Sequence, residues 1–375
     1  MNAKPLGVAV AGLGIGAKVH LPALRACALT EPVALWHPRA ERISAIALAE
    51  ELPGYSDFEA LLNDPKVEAV VIATPPAVRP ELAEMALRAG KHLLLEKPVA
   101  LRTEQAEALQ RQALELGLCC AVNFEYRAVP AFQQLAQLLH GGWLGDPWLL
   151  RFDWLMGSRS DPQRPWNWYA SAAEGGGVLG ALGSHAFDMM EWLVGPLRQV
   201  QAQLAVAIGE RPLADGSGRA VVDAADTALL QLQLEPIWAP QRQLLPAQIA
   251  LSSVARCGRG CWLELHGSEG SLVLGSANQS DYVHGFGLQA ARNGEPLMAI
   301  PPDPNLSFSR TWEDGRVAPV VRLLGWWAEA VRQGRPMLPG LLEGVASQRA
   351  MDASLRSNLE QLSVGLATGP ATVGA

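Results

Sequence analysis

Two adjacent charged residues, Glu96 and Lys97, follow the apolar strand-like start of the segment "LLLEKPVA" at residues 93–100. If this segment is a strand of a parallel sheet, its carboxyl end faces the ligand crevice, and Lys97 points towards a bound ligand. Pro98 favours an extended backbone at Lys97 and so limits the direction of its side chain. A lysine removed from water has a lowered pKa and can exchange protons near neutral pH, with Glu96 to orient it. On spacing alone, a catalytic lysine and an ordinary surface ion pair are equally consistent with the sequence.

The segment "GSHAFDMMEWLVG" at residues 183–195 begins an amphipathic helix and carries a second candidate group. Ser184 can cap this helix, and His185 would then lie in the first turn, where the helix dipole favours a neutral imidazole. His185 and Asp188 are three residues apart and share one face. A neutral histidine that faces a crevice can donate or accept the proton of a hydroxyl group. The alternative is a structural histidine bonded to Asp188.

The N-terminal segment "VAVAGLGIGAKVH" at residues 8–20 has a G-x-G-x-x-A spacing between a strand and a helix. Gly12 allows a tight turn, Gly14 lets a pyrophosphate approach the backbone, and Ala17 allows close packing of the helix on the strand. The N–H groups at the start of the helix, near Ile15, would face the phosphates. The position of this segment favours a dinucleotide site over a plain glycine-rich turn.

The end of the second predicted strand, "ALWHPRAER" at residues 34–42, bears on the choice of dinucleotide. An acidic residue there would bind the ribose 2′-hydroxyl and repel a 2′-phosphate, and none occupies the strand end. His37 and Arg39 would instead attract a 2′-phosphate, which favours NADP(H) over NAD(H). The alternative is that Arg39 is a solvated surface charge and that other contacts hold NAD. The remaining expected cofactor contacts are Thr74, Pro75, Glu96 and Lys97.

Strands and helices alternate over the first part of the chain, which predicts a doubly wound sheet with right-handed crossovers. The predicted strands are 6–11, 32–37, 67–76, 92–96 and 118–124. Later stretches with alternating polarity are typical of an antiparallel sheet. These stretches are 147–156, 198–208, 226–234, 246–255, 261–266 and 270–274. We therefore predict an α/β protein with a dinucleotide-binding domain over 1–123, a second domain over 124–361 and a flexible tail over 362–375.

Charge and composition exclude several other classes of protein. The 375 residues are 49% hydrophobic and 18% charged, which is typical of a globular chain long enough for two domains. A net charge of −7 argues against a nucleic-acid partner. We expect no membrane span, because no run of about 18 apolar residues occurs. The five cysteines lack zinc-type spacing, which indicates reduced thiols in a cytoplasmic protein and no metal site.

Taken together, the motifs resemble those of the Gfo/Idh/MocA oxidoreductases, the family of glucose–fructose oxidoreductase and inositol dehydrogenase. The matching segments are "AGLGIGAKVHLPAL" (11–24), "VVIATPP" (70–76), "ALRAGKHLLLEKPVAL" (86–101), "VNFEYRAVPAFQQL" (122–135) and "GGGVLGALGSHAFDMMEWLVG" (175–195). The resemblance implies an N-terminal Rossmann domain and a C-terminal α/β domain with a large, mainly antiparallel open sheet. It also implies that this sheet joins subunits into homodimers or homotetramers.

The activity implied by the resemblance is hydride transfer between a nicotinamide cofactor and a carbinol or carbonyl carbon, usually of a sugar or cyclitol. Lys97 and His185 match the catalytic lysine and histidine of the family. Asn123 and Arg127 match positions that line the family's substrate cleft. The sequence departs from the family pattern at two positions. Ala181 stands where many members have an aspartate, and Arg79 stands where a histidine is common. Tyr126, Tyr169 and Asp188 are the candidates to replace the missing carboxylate.

The loop "GSRSDPQRPWNWYASAAEGGG" at residues 157–177 precedes the His185 helix and carries arginine and aromatic residues. Aromatic faces such as Trp168 and Tyr169 stack on sugar C–H surfaces, and arginine binds hydroxyls or carboxylates. We interpret the loop, with Ser184 beyond it, as a substrate or subunit contact. The alternative is a surface loop held by buried tryptophans.

Two other functions remain open at the level of the sequence. The first is reduction of a non-sugar substrate on the same fold, as in biliverdin reductases or dihydrodiol dehydrogenases. Lys97 and His185 argue for carbonyl or carbinol chemistry over that alternative. The second is a dinucleotide-binding regulator that has lost catalysis, which Ala181 and the missing ribose acid would favour.

Overall fold

The computed structural model describes residues 4–239, 243–278, 285–292 and 294–366. These residues fall into two compact units, which we call the first and the second unit. The first unit contains the chain up to Ala128 together with Arg310–Val345, and the second contains Val129–Ser309 and the residues from Ala346 onwards. No feature of the sequence predicted the return of 310–345 to the first unit. The domain limits at 123 and 361 stay a prediction.

The first unit is built on a parallel sheet of six described strands in the order β3-β2-β1-β4-β5-β6. The strands are β1 (Leu6–Ala11), β2 (Thr30–Trp36), β3 (Gly54–Tyr55), β4 (Ala69–Ile72), β5 (His92–Leu95) and β6 (Cys120–Val122). The helices among them are α1 (Leu21–Ala26), α2 (Ala40–Glu50), α3 (Phe58–Leu62), α4 (Arg79–Arg88) and α5 (Thr103–Glu115). The strand order reverses between β1 and β4, the point where such sheets bind ligands. The predicted doubly wound sheet is confirmed.

Both faces of this sheet are covered, which explains the unbroken apolar runs in its strands. Successive residues of β1 point to opposite faces, so that Val8 and Val10 join one apolar cluster while Ala9 and Ala11 join another. Every residue of β1 and β4 is buried. The strand ends are therefore the first places where polar groups can meet a ligand.

The second unit is built on a large mixed sheet. Its elements in chain order are α6 (Pro130–His140), β7 (Pro147–Leu155), α7 (Ser184–Leu193), β8 (Leu197–Ala205), β9 (Glu210–Pro212), β10 (Arg219–Val221), β11 (Thr227–Leu234), β12 (Leu245–Ser252), β13 (Gly260–Gly267), β14 (Gly270–Ser276), β15 (Gly287–Arg292) and β16 (Met298–Ile300). Three elements close the described chain: α8 (Val317–Gln333), α9 (Leu341–Glu360) and the short strand β17 (Val364–Gly365).

The strands of the large sheet follow the order β16-β15-β14-β13-β7-β12-β11-β8-β17, and β9 pairs with β10 apart from it. Neighbours are antiparallel except β7 and β12, which run parallel. The predicted, mainly antiparallel sheet is confirmed. Alternate residues of β11 are buried and exposed, so one face packs inwards while the other stays open.

Two further expectations concern the ends of the chain and the membrane. Val364 and Gly365 pair with β8 within the predicted tail, and residues 367–375 of that tail lie outside the described residues. Among the helices of the described ranges, none has the length and apolar character needed to cross a bilayer.

Candidate active site

The backbone of the glycine loop after β1 passes close to the backbone at Ala73. Gly12 has a φ of +102°, and a Cβ there would lie 2.7 Å from the carbonyl carbon and oxygen of Ala73. A Cβ at Gly16 would lie 2.9 Å from Val10 Cγ1, so the close helix-on-strand contact falls on Gly16 and not on the half-buried Ala17. Gly14 is exposed, and a Cβ there would meet nothing within 4 Å. The loop therefore keeps open space at Gly14, where a pyrophosphate would need it.

The helix after this loop begins differently from the prediction. A five-residue π turn, Gly16–His20, leads into α1, and Ile15 precedes the turn without a side-chain cap. The turn brings His20 to a position where none of it is exposed. His20 is a polar residue in the core, and it needs a hydrogen-bond partner there.

Glu96 is that partner and forms the centre of a buried polar cluster at the end of β5. His20 Nε2 lies 2.7 Å from Glu96 Oε1, and Asn123 Nδ2 donates to the same oxygen over 2.8 Å. Glu96 is only 4% exposed. Burial alone would raise its pKa, but the hydrogen bond and charge of His20, with the charges of Lys97 and Arg79, lower it well below the usual range. Glu96 is thus a buried carboxylate anchored by the protein.

Lys97 follows Glu96 and is half-buried. Burial lowers the pKa of its ammonium group, and the carboxylates of Glu125 and Glu96 offset part of that effect. The positive charges of Arg79 and Arg316 lower the pKa further. A lysine in this setting can lose its proton more readily than one in water.

Arg79, which begins α4, ties together the ends of two neighbouring strands. Its guanidinium is buried and donates to the backbone carbonyls of Thr74, after β4, and Pro98, after β5. Burial lowers its pKa to about 10, and the charge of Glu96 opposes this. Arg79 therefore fixes the two strand ends that frame Lys97.

The turn after β6, Glu125–Ala128, brings a second acidic residue to this region. Glu125 is 5% exposed, and burial together with the charge of Glu96 raises its pKa to about 7. Asn123 and Tyr126 are buried beside it in sequence, and Arg127 is half-buried. A carboxyl group with this pKa can hold or release a proton near neutral pH.

The second strand end carries the residues expected near the ribose. His37 Nδ1 accepts a hydrogen bond from the backbone N–H of Arg39 over 3.1 Å, and Arg39 is exposed. Burial, followed by the charges of Arg42 and Arg39, lowers the pKa of His37. Trp36 is buried beside Phe58, with ring centroids 5.1 Å apart. The exposed residues that follow this strand include Arg39, Glu41 and Arg42, so two positive charges lie beside one negative charge.

In the second unit, α7 does not begin as the sequence predicted. A π turn, Leu179–Gly183, precedes the helix, and Ser184 Oγ donates to the Gly180 carbonyl over 2.7 Å instead of capping. The capping prediction was wrong because helical backbone continues upstream of Ser184. His185 consequently lies beyond the first helical turn, and the argument from the helix dipole no longer applies to it.

His185 and Asp188 are nevertheless buried on the same helix, with 4% and 3% of their surface exposed. The imidazole of His185 packs near the indole of Trp154, with ring centroids 6.2 Å apart. Trp154 belongs to β7, so the strand fixes one side of the histidine. Ala181 is half-buried within the preceding π turn.

The loop between β7 and α7 combines exposed and buried aromatic residues. Tyr169 is buried, and the guanidinium carbon of Arg159 lies 3.3 Å from the centre of its ring. Trp166 Nε1 donates to the Val221 carbonyl over 2.9 Å, which anchors the loop to β10. Trp168 is partly exposed. The loop therefore has a fixed tyrosine and an indole that can meet a ligand or another surface.

Sequence reasoning missed His20, Glu125 and Trp154 as parts of these clusters. A histidine within the apolar "KVHLP" and a glutamate within "NFEYR" were the signals that could have suggested buried polar groups. Their partners lie far away in sequence, 76 residues away in the case of His20 and Glu96. Only the sheet brings them together.

Comparison with protein families decides the class of the protein. Residues 6–124 match the family described as an oxidoreductase family with an NAD-binding Rossmann fold, and residues 136–366 match its C-terminal alpha/beta domain. The chain belongs to the Gfo/Idh/MocA oxidoreductase family. This confirms the resemblance seen in the motifs, and the protein is an NAD(P)-dependent dehydrogenase with a dinucleotide-binding first unit.

Similar proteins support the same class. An uncharacterised oxidoreductase of Synechocystis is 44% identical over 358 residues, or 95% of each chain. The levoglucosan dehydrogenase of Pseudarthrobacter phenanthrenivorans is 30% identical over 259 residues, or 64% of this chain and 63% of that protein. A solved levoglucosan dehydrogenase in complex with NADH and L-sorbose has a TM-score of 0.85 at 24% identity, covering 96% of this chain and 98% of that one. The structural likeness shows a shared fold.

The first unit fits the dinucleotide that its family implies. The open space at Gly14 can admit a pyrophosphate next to the backbone. Thr74 Oγ1 and Asn123 Oδ1 are buried and have no hydrogen-bond partner among the described residues, which leaves them for polar groups of a ligand. Pro75 is exposed beside Thr74. Within the described ranges, no group of three or more His, Cys, Asp and Glu residues could hold a metal ion.

Proposed function

We propose that the protein transfers a hydride between a nicotinamide cofactor and a carbinol or carbonyl carbon of a sugar, cyclitol or related polyol. One observation carries the proposal: Lys97 has a lowered pKa and adjoins the buried, hydrogen-bonded carboxylate of Glu96 at the end of β5. The relatives add support, because they include proteins named levoglucosan dehydrogenase and D-xylose dehydrogenase.

The proposed steps assign one task to each group. In the direction of oxidation, His185 accepts the proton of the substrate hydroxyl, and Lys97 polarises its oxygen and shares the proton. The nicotinamide, when bound, accepts the hydride from the carbon. In the direction of reduction, the same groups return the proton to the carbonyl oxygen. Glu96 orients Lys97 and balances its charge.

Other polar and aromatic residues are proposed to contact the substrate. From the first unit these are Asn123, Tyr126 and Arg127, and from the second Trp168, Tyr169 and Asp188. Ser184 was also expected to contact the substrate, but it is fully buried, its hydroxyl donates to the Gly180 carbonyl and its own carbonyl accepts from Ser347 Oγ.

We propose NADP(H) as the preferred cofactor. Arg39 and Arg42 place positive charge beside His37 at the second strand end, and a 2′-phosphate would be attracted there. An Arg39→Asp variant tests the preference, because it should raise the KM for NADPH by about 10-fold or more and lower the KM for NADH. Equal effects on both cofactors would contradict the preference.

A dinucleotide-binding regulator without catalysis is the second candidate. Ala181 favours it, because this position lacks the carboxylate that many members of the family have. Reduction of a non-sugar substrate is a further alternative within the enzyme class.

The deciding experiment follows nicotinamide absorbance while a panel of sugars, cyclitols and polyols, and of their keto forms, is tested with NAD(H) and NADP(H). Turnover of at least one member is expected, and a His185→Ala variant should lose most of it while still binding the dinucleotide. A protein that binds the dinucleotide but reacts with no member of the panel would support the regulator. Turnover of biliverdin or a dihydrodiol alone would support the non-sugar enzyme.

The open face of the large sheet is proposed as the contact between subunits of a homodimer or homotetramer. A shallow groove of about 330 Å³ on this face is lined by glutamines and leucines and by no charged side chain. Its residues are Gln201, Ala202, Gln203, Leu229, Leu230, Gln231, Gln248 and Gln361. Burial of an uncharged face does not require the desolvation of charged groups, so such a face can lie between subunits. A Leu229→Lys substitution would place a charge in that contact, and the protein should then have a smaller particle size in light scattering.

A cytoplasmic location is proposed from the described cysteines, which are all free.

A further inference from the structure

Four arginines converge on the loop that follows β7, residues 157–164, which we call the arginine loop. Arg159 and Arg164 belong to the loop, and Arg164, Arg211 and Arg256 donate hydrogen bonds to its backbone carbonyls. The bonds join Arg164 to the Ser158 carbonyl (2.8 Å), Arg211 to the carbonyls of Asp161 (2.8 Å) and Arg159 (2.6 Å), and Arg256 to the Ser160 carbonyl (3.1 Å). Positive charge is therefore concentrated at one loop of the second unit.

The nearby carboxylates are bonded to backbone N–H groups and not to these arginines. Among the described residues, none of the four arginines forms an ion pair with a carboxylate. The carboxylate of Asp226 accepts the backbone N–H groups of Ala207 and Ile208, and that of Asp161 accepts the N–H of Gln163. Guanidinium groups without a direct carboxylate partner are favourable partners for an incoming oxyanion.

Arg159 differs from the other three arginines in its contact. Its guanidinium lies over the ring of the buried Tyr169, 3.3 Å from the centroid, instead of bonding to a backbone carbonyl. Burial lowers its pKa to about 10, the interaction with Tyr169 opposes this, and the charges of Arg164 and Arg211 add to the lowering. A guanidinium stacked on an aromatic face keeps N–H groups along its edge for an oxyanion.

The arginine loop begins at one edge of the large sheet, and His185 lies on α7 beside that edge. β7 and β12 run parallel, so their carboxyl ends share that edge, and the backbone N–H of Arg159 donates to the Ser253 carbonyl just after β12. Trp154, near the end of β7, packs against the imidazole of His185. A substrate held at His185 could therefore extend towards this loop within the second unit.

We propose that the arginine loop is an anion subsite that binds a carboxylate or phosphate group carried by the sugar substrate, with Arg159 as its direct ligand. The proposal rests on the proposed function for the sugar and adds the class of sugar: a sugar acid or a sugar phosphate. Both present an oxyanion that a guanidinium binds through paired N–H groups. Neutral sugars would lack this contact.

Binding of D-glucose, D-glucuronate and D-glucose 6-phosphate, measured by calorimetry with and without nicotinamide dinucleotide, tests the subsite independently of turnover. At least one anionic sugar should bind about 10-fold or more tightly than glucose. An Arg159→Gln variant should lose about 10- to 100-fold in affinity for that anion while its affinity for glucose stays unchanged. Preference for glucuronate identifies a sugar acid, and preference for glucose 6-phosphate identifies a sugar phosphate.

Arg219→Gln is the matched control, because Arg219 lies in β10 and pairs with Glu210. It removes the same charge from the same unit and should leave all three affinities unchanged. Arg159→Lys, which keeps the charge without the planar fork, should give an intermediate affinity and guards against a folding defect in Arg159→Gln.

Three results would overturn the subsite: no binding of either anionic sugar, binding of glucose as tight as that of both anions, or equal losses for all three sugars in Arg159→Gln. Failure of the proposed function looks different. A protein that binds an anionic sugar at Arg159 yet transfers no hydride contradicts the enzyme and keeps the subsite, and turnover of neutral sugars alone contradicts the subsite and keeps the enzyme.

Discussion

His20 Nε2 lies 2.7 Å from Glu96 Oε1, at a place in the first unit where His20 is wholly buried and Glu96 almost so. The pair connects the π turn that follows the glycine loop to the strand end that carries Lys97. Asn123 joins the same carboxylate oxygen from the end of β6. The π turn and the ends of β5 and β6 are thus joined through one buried carboxylate, and the proposed chemistry of Lys97 depends on its position.

Removal of the histidine tests how much this connection stabilises the fold. A His20→Leu substitution leaves a buried carboxylate with fewer donors, so we expect the free energy of unfolding to fall by about 1–3 kcal/mol. Urea unfolding at neutral pH measures the change. His140→Leu, at the exposed end of α6, is the control and should have little effect. An unchanged unfolding midpoint in His20→Leu would show that Glu96 does not need the histidine.

The two buried glutamates should have opposite effects on stability as a function of pH. The pKa of Glu96 is lowered by folding, so its contribution is present above the unfolded pKa and disappears as the pH falls through the folded value. The pKa of Glu125 is raised by folding to about 7, so its ionisation opposes folding increasingly between the unfolded pKa and that value.

Glutamine substitutions separate these effects. Glu96→Gln should destabilise the protein at neutral pH, and the loss should shrink in strong acid. Glu125→Gln should stabilise the protein at about pH 8 and give little gain at about pH 4, below the ordinary pKa of a free glutamate. Denaturant unfolding of both variants from about pH 2 to about pH 8 is the measurement. Parallel pH profiles for the two variants would contradict the assignment of opposite shifts.

Lys97→Met tests the proposed catalytic lysine. Loss of its polarising and proton-sharing role should lower kcat by about 100-fold or more, while the dissociation constant for the dinucleotide changes little. Steady-state kinetics and fluorescence titration of the cofactor provide the two values. Lys66→Met, at an exposed position, should retain full activity. Full turnover in Lys97→Met would remove the lysine from the mechanism.

The two glycines of the loop should respond differently to alanine. Gly12→Ala should destabilise the fold, because the left-handed φ and the contact with Ala73 leave no room for a Cβ. Gly14→Ala should leave thermal unfolding unchanged, since its Cβ meets nothing, but should weaken dinucleotide binding by about 10-fold. Comparison of melting temperature with cofactor affinity distinguishes the two. Equal affinity of Gly14→Ala and the unaltered protein would place the pyrophosphate elsewhere.

The sequence predicted the regular parts of both units because hydrophobic periodicity is a local property. It placed Lys97 at the end of β5 and the glycine loop after β1, where the structure has them. It did not predict that Ser184 would continue an upstream π turn. A serine hydroxyl can either cap a helix that begins there or donate to a carbonyl one turn earlier, and both partners are close in sequence. It also missed His20, Glu125 and the convergence of arginines on residues 157–164, which depend on pairing between distant strands.

The return of α8 to the first unit has a consequence for synthesis of the chain. Val320, Leu324 and Trp327 of α8 belong to the apolar cluster that contains Val8 and Val10 of β1. While the second unit is still being synthesised, α1 and α2 can cover part of that side of the sheet, but the part that α8 covers remains exposed. We therefore expect the first unit to reach its native state only after Gln333 has emerged, and to depend on chaperones until then.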